Sequence, residues 1–339
     1  MLKRTLAFIL LLAPCCIADP VNYILDTDIA SDCDDAGAVA AVNALASNGE
    51  VKILAMMVST GGKYGAPAVC AINTWYGRGD VPIGTVKDPT FWVGGSPDEP
   101  SGWKNYESYN RWLAENCPTK LKSGDDAPDA KVLYRQILAK QPDNSVVINT
   151  IGPLINLAHL LETKPDDASP LAGPELIKAK VKLLVVTGGR NPKGTSSNFS
   201  KENAEDFTKP VIETWPTPVV FVGNEIALEL KVGWQKNREG TEGNPARLAY
   251  KQFFKGAEKP RACADQAGVL YAVRGLGDFF KLHDTGHQTC DDKGTTTWSE
   301  EALPSLKHAY LVKNEGVDEK ITSAIESLMT QSRAMTIAK

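Results

Sequence analysis

The chain has little excess charge of either sign, few histidines and no paired-cysteine motif. Thirty-seven Lys and Arg stand against 41 Asp and Glu, a formal net charge of −4. A nucleic-acid partner would call for a basic face, and the balance gives no sign of one. Only four histidines occur, and no two cysteines stand as C-x-x-C, which argues against a thiolate zinc site. No internal stretch approaches the ~18 unbroken apolar residues of a membrane span. No G-x-S-x-G context surrounds Ser196 or Ser197, so serine hydrolysis has no motif to rest on. Internal repeats and low-complexity linkers are also missing. What remains is 339 residues of ordinary globular composition, 42% hydrophobic, enough for a large core.

The first twenty residues read MLKRTLAFILLLAPCCIADP. Lys3 and Arg4 form a positive start, Leu6–Ala13 an apolar run, and Cys16-Ile17-Ala18 a small-residue cleavage site. That three-part pattern predicts a signal peptide over 1–18 and an exported mature chain, periplasmic or secreted. Pro14 makes Leu-Ala-Pro-Cys15 a poor lipidation signal. The five cysteines after it are Cys33, Cys70, Cys117, Cys263 and Cys290. That number is odd, so at least one stays free or pairs between chains.

Short apolar runs recur at Tyr23–Leu25, Ile53–Val58, Val146–Ile151, Val181–Val186 and Pro218–Val222. They are too short for helices and lack polar alternation, as in strands covered on both faces of a parallel sheet. Helical spacing separates them at Asp34–Ala46, Ala130–Ala139, Leu154–Leu161 and Ala264–Val273, and returns in the tail from Asp318. The alternation predicts an open, mostly parallel α/β sheet flanked by helices on both faces. Residues 19–339 read as one domain. Two loop-rich insertions, near 87–129 and 190–203, lie around a site at the carboxyl edge of the strands.

The first strand runs into Asp26-Thr27-Asp28-Ile29-Ala30-Ser31-Asp32-Cys33-Asp34-Asp35, five aspartates in ten residues. No Lys or Arg lies nearby in sequence to neutralise them. Carboxylates this close repel unless a cation bridges them or protons are retained. Hard oxygen ligands suit Ca²⁺ or Mg²⁺ better than zinc. Helix capping accounts for one or two of the five aspartates. An EF-hand is excluded, because the glycine at loop position 6 and the glutamate at position 12 are missing in every register.

This opening resembles the signature of the inosine–uridine-preferring nucleoside hydrolases, most closely a subgroup with a D-x-D-x-x-x-D-x-D-D pattern. Asn149–Leu157 is similar to the family's Gly-Pro-Leu-Thr-Asn segment, and Leu184–Gly189 to its strand ending in Met-Gly-Gly. Ala264-Asp265-Gln266-Ala267 falls where the family has a His-Asp pair opening a late helix. The order of these segments holds from about Asn22 to Gly277. The resemblance implies hydrolysis of the N-glycosidic bond of a ribonucleoside to base and ribose, at one Ca²⁺. It implies Asp28, Asp35 and Asp265 as carboxylate ligands and Ile151 as a carbonyl ligand. Asp34 would meet a ribose hydroxyl, and Asn198 and Ser200 would stand in the segment that holds the ribose 5′-hydroxyl. Asp26 would support the ligands, and Asp32 could replace Asp34 or Asp35. A water on the ion would give its proton to Asp28, which a ligating aspartate is placed to accept.

The chain departs from the family on the substrate side. Ala264 replaces the histidine, Thr187 the methionine, Ile155 the threonine and Asn198 the glutamate of Glu-Phe-Asn. Two other readings use the same residues. A haloacid-dehalogenase-type phosphatase also ends its first strand in Asp-x-Asp, but leaves Asp34-Asp35 unexplained. A Ca²⁺-dependent ribosyl-binding protein would keep the metal half and lose turnover. In each case the partner is a small molecule, and homo-oligomerisation is left open. Trp92, Trp103, Tyr106, Tyr109 and Trp112 in the first insertion either stack on a base or pack the loop down. His283 and His287 lie in a surface loop with no third ligand evident.

Overall fold

The computed structural model describes residues 19–30, 32–88, 107–200 and 203–332. The leader over 1–18 lies outside them, as do Trp92, Trp103 and Tyr106. Among the described residues no helix is long and apolar enough to cross a membrane.

Strands follow in chain order. They are β1 (Val21–Thr27), β2 (Val51–Val58), β3 (Ile83–Thr85), β4 (Val146–Thr150), β5 (Val181–Thr187) and β6 (Lys193–Gly194). Then come β7 (Val219–Val222), β8 (Lys231–Val232), β9 (Arg261–Ala262), β10 (Phe280–His283), β11 (His287–Cys290), β12 (Thr296–Ser299) and β13 (His308–Lys313). Eight of them form one sheet in the order β10-β13-β7-β5-β4-β1-β2-β3. All neighbours in it run parallel except β10, which is antiparallel to β13. β11, β12 and β6 make a small antiparallel sheet beside it.

Alternation along each strand builds two cores. Leu25, Met56, Val147 and Val185 face the helices Asp34–Ser47, Gly65–Trp75, Ala264–Arg274 and Asp318–Met329. Ile24, Met57, Ile148 and Leu184 face the helices Ala130–Ala139, Ile155–Leu161, Gly173–Lys180 and Glu205–Thr214. The five apolar runs all become parallel strands, because burial on both faces removes the need for polar positions. β10 and β13 escape the pattern, since their outer residues are exposed or half-buried.

Residues 87–129 hold more structure than a loop. They contain the helix Glu107–Asn116 and a 3₁₀ turn over Gly124–Asp126. Tyr109 and Leu113, one helical turn apart, are both buried and fasten that helix to the domain. His283 ends β10 and His287 opens β11, with Gly286 at φ +112° between them. The His283 ring stacks on Tyr310 at 4.7 Å between centroids. All five cysteines after the leader are unpaired, so the odd count leaves no bridge within this chain.

His308, which carries no signal in the sequence, is 3% exposed. Its Nδ1 accepts the Gln288 N–H at 3.2 Å, and its ring stands edge-on to Phe221. Burial first, and the neighbouring His287 second, push its pKa down to about 4. A group with a depressed folded pKa contributes fully above its unfolded value near 6.5 and loses that contribution as pH falls toward 4. The loss should reach about 3 kcal/mol at pH 4. Urea midpoints measured from pH 7 to pH 4 should therefore fall more steeply in the wild type than in His308→Asn. Equal slopes would remove His308 as a source of acid sensitivity.

Candidate functional site

β1 ends in Asp26 and Thr27, Asp28 follows directly, and the helix Asp34–Ser47 begins six residues later. Cys33 is that helix's N-cap and makes no side-chain cap bond; Asp34 and Asp35 follow it in the first turn. Asp265 occupies the same place in the helix Ala264–Arg274, whose N-cap is Cys263. Two helix N-termini thus bring carboxylates to one point, where backbone N–H groups favour negative charge. One oxygen from each of Asp34, Asp35 and Asp265 lies within 4.8 Å of the others, and all three residues are buried.

Asp28 is buried and lines the same cavity, which encloses about 190 Å³. Ile151, Asn198 and Thr187 line it as well. The Ile151 carbonyl accepts a hydrogen bond from Asn198 Nδ2 at 2.8 Å, and the same amide donates to the Thr187 carbonyl at 3.0 Å. Asn198 therefore braces the ends of two strands at the site. Ser200 does not line the cavity; its hydroxyl donates to the Ser196 carbonyl at 2.9 Å.

Asp26 lies beneath, fully buried. It accepts from Tyr134 Oη at 2.9 Å and Asn156 Nδ2 at 3.0 Å. Burial outweighs these bonds and lifts its pKa to about 7. The Thr27 hydroxyl donates to Asp35 Oδ1. Burial first, and neighbouring carboxylates second, hold Asp34, Asp35 and Asp265 well above the usual carboxylate range. Burial and mutual repulsion both disfavour bare charge on these groups and favour either a retained proton or a bound divalent ion. The donors are all hard oxygens, so the triad fits a hard cation and no thiolate metal.

Asp32 stands apart from the triad. Its two oxygens lie 2.7 and 2.8 Å from Arg261 Nε, and Arg261 Nη2 donates to it as well. Its backbone carbonyl accepts from Tyr109 Oη at 2.6 Å, and Asn110 Nδ2 reaches the Ile29 carbonyl at 2.7 Å. The acidic loop is thus held from the helix Glu107–Asn116 and from β9. No cation is near these aspartates in sequence, but one is in space: Arg261 is 229 residues from Asp32. Sequence reasoning missed Arg261 and Asn110, and it named Tyr109 only as an aromatic that stacks on a base or packs the insertion down, not as a support for the acidic loop. The only signal for Arg261 was its position four residues before Asp265.

Gly152 packs directly under Asp28. A Cβ there would stand 2.7 Å from Asp28 Cβ and 2.8 Å from its backbone nitrogen. Gly152→Ala should push Asp28 out of place at a cost of about 1–3 kcal/mol. Affinity for a divalent cation, read by calorimetry, should fall about tenfold or more. Unchanged affinity would separate Asp28 from the ion site.

No protein-family model matches the chain. No curated protein matches it either. Solved structures do. An inosine-uridine preferring nucleoside hydrolase from Bacillus anthracis superposes with a TM-score of 0.64 at 15% identity, over 91% of this chain and 99% of that one. The purine-preferring ribonucleoside hydrolase from Gardnerella vaginalis gives 0.63 at 15%, over 91% and 99%. The type III effector protein XopQ complexed with adenosine diphosphate ribose gives 0.66 at 15%, over 93% and 95%. At these identities the likeness is one of fold: the chain has the architecture of the nucleoside hydrolases, with a parallel sheet between two layers of helices.

Proposed function

We propose that the chain is an exported, Ca²⁺-dependent ribosyl hydrolase that splits the N-glycosidic bond of a ribonucleoside to base and ribose. The observation that carries this reading is the convergence of buried Asp34, Asp35 and Asp265 in one cavity with Asp28. The fold likeness to hydrolases named for nucleosides supports it. Asp28, Asp35 and Asp265 would hold Ca²⁺ with the Ile151 carbonyl, and Asp34 would meet a ribose hydroxyl beside them. When bound, the ion orients a water and the ribose diol together and eases loss of the water's proton. Asp28 accepts that proton. The surrounding carboxylates stabilise the positive charge that develops on the sugar as the bond breaks. Asn198 holds the Ile151 carbonyl in place through its amide. Export rests on the leader pattern of residues 1–18.

The test is ribose release from a nucleoside panel by the mature chain, with Ca²⁺ and after chelation. Release that needs Ca²⁺ is expected. A second reading, a Ca²⁺-dependent ribosyl-binding protein, draws on the adenosine diphosphate ribose held by XopQ and on Ala264. Calorimetric binding of ribose or adenosine diphosphate ribose, with no consumption of either and no release from any nucleoside, would favour it over the hydrolase. The phosphatase alternative is not favoured, because hydrolases of nucleosides match the fold over nine-tenths of the chain.

A further inference from the structure

Hydrolysis leaves an electron pair on the departing base nitrogen, and something must take up that charge. Among the described residues that line the cavity there is no histidine, lysine or tyrosine to hand the base a proton. There is one cation, Arg261. A guanidinium does not give up its proton at neutral pH, so it acts by charge and by hydrogen bonds.

Arg261 is built for a fixed pose. Its residue pairs with Val232 in the short β8–β9 ribbon, four positions before Asp265. Nε and Nη2 are both taken by Asp32. Asp32 is itself held by Tyr109 Oη and by the Cys33 N–H at 2.7 Å. Nη1 makes no hydrogen bond among the described residues, and the side chain is 41% exposed where it lines the cavity. One edge of the fork is therefore anchored and the other keeps two N–H donors. Such preorganised donors are worth most where charge appears during reaction, since they need no rearrangement.

We propose that Arg261 stabilises the departing base as its anion, through Nη1 hydrogen bonds to a ring acceptor. The proposal rests on the ribosyl-hydrolase reading above. In the step, water oxygen bonds to the anomeric carbon and one water proton passes to Asp28. The carbon–nitrogen bond breaks with its pair moving onto the base, and the base anion then takes a proton from solvent. Asp32 is a positioning residue that fixes the guanidinium.

The test compares two leaving groups. Uracil leaves uridine as an anion, whereas nicotinamide leaves its cationic riboside as a neutral molecule and needs no such support. In Arg261→Gln the uridine kcat/KM should fall about 100-fold relative to that for nicotinamide riboside. Arg261→Lys should recover part of the difference, because it keeps the charge without the fork. The double variant Asp32→Asn/Arg261→Gln removes the unpaired carboxylate and should show the same selective loss, which guards against misfolding. A loss shared equally by both substrates would make Arg261 a structural residue and overturn the proposal; so would no loss. If the wild type releases ribose from no nucleoside, the hydrolase reading itself fails. Calorimetry then decides on Arg261 alone. Uridine binding weakened tenfold in Arg261→Gln, with ribose binding kept, retains Arg261 as the base contact; equal binding removes it.

Discussion

Asp28→Asn is expected to lower ribose release by about a hundred- to ten-thousandfold, the span of general-base effects. The amide is close to isosteric with the carboxylate, so it should fit above Gly152 where the carboxylate now sits. It cannot accept the proton of an attacking water. Removing one carboxylate also relieves repulsion, because Asp28 raises the pKa of Asp26, Asp34, Asp35 and Asp265. The variant should therefore fold at least as firmly as the wild type in the absence of metal. Turnover measured at saturating Ca²⁺ separates the two roles assigned to Asp28. If kcat is restored as Ca²⁺ rises, Asp28 serves mainly as a ligand. If kcat stays low at saturation, Asp28 is the base. Retention of wild-type turnover at ordinary Ca²⁺ would remove it from the mechanism.

Arg135→Ala should cost about 1–3 kcal/mol of stability, the range for leaving buried hydrogen-bonding groups unsatisfied. The Arg135 side chain is 2% exposed, within the helix Ala130–Ala139. Its Nε and Nη2 hold both oxygens of Asp166 at 2.8 Å. Nη1 donates to Thr163 Oγ1 at 3.0 Å, and Nη2 also reaches the carbonyls of Ser169 at 3.0 Å and Leu171 at 2.9 Å. One guanidinium thus organises the loop that joins the helices Ile155–Leu161 and Gly173–Lys180. Truncation leaves those carbonyls without donors and removes the packing of a buried side chain. Arg135→Lys should rescue little, since an ammonium cannot present the planar fork. Urea unfolding of both variants is the measurement. A loss under about 1 kcal/mol would mean that water takes over the guanidinium's bonds.

Much of this is written along the chain. A strand buried on both faces must be apolar throughout, so β1, β2, β4, β5 and β7 announce themselves as short aliphatic runs. Helices that cover them carry apolar residues at helical spacing, and the helices Asp34–Ser47 and Ala264–Arg274 lie within a residue or so of where that spacing puts them. The five aspartates are also a local fact. Carboxylates within ten residues repel whatever the fold, so their need for a cation or for retained protons is legible from the order of residues alone.

What depends on contacts between distant residues is not legible. β10 and β13 lie at one side of the sheet; β10 has its apolar residues broken by Lys281, and β13 keeps only the four apolar residues Ala309–Val312 between His308 and Lys313. Tyr109 looks like any loop aromatic until its helix is seen to bond the Asp32 carbonyl. Which aspartates converge is likewise a tertiary matter. Asp34 and Asp35 meet Asp265 because two helices begin at the same sheet edge. Asp32, one residue outside the helix N-cap, points to Arg261 instead. The sequence by itself determined the kind of sheet, the acidic loop and its demand for positive charge, because periodicity and repulsion act between near neighbours. Only the tertiary structure decided how that demand is divided, since an ion pair spanning 229 residues exists only once the chain has folded.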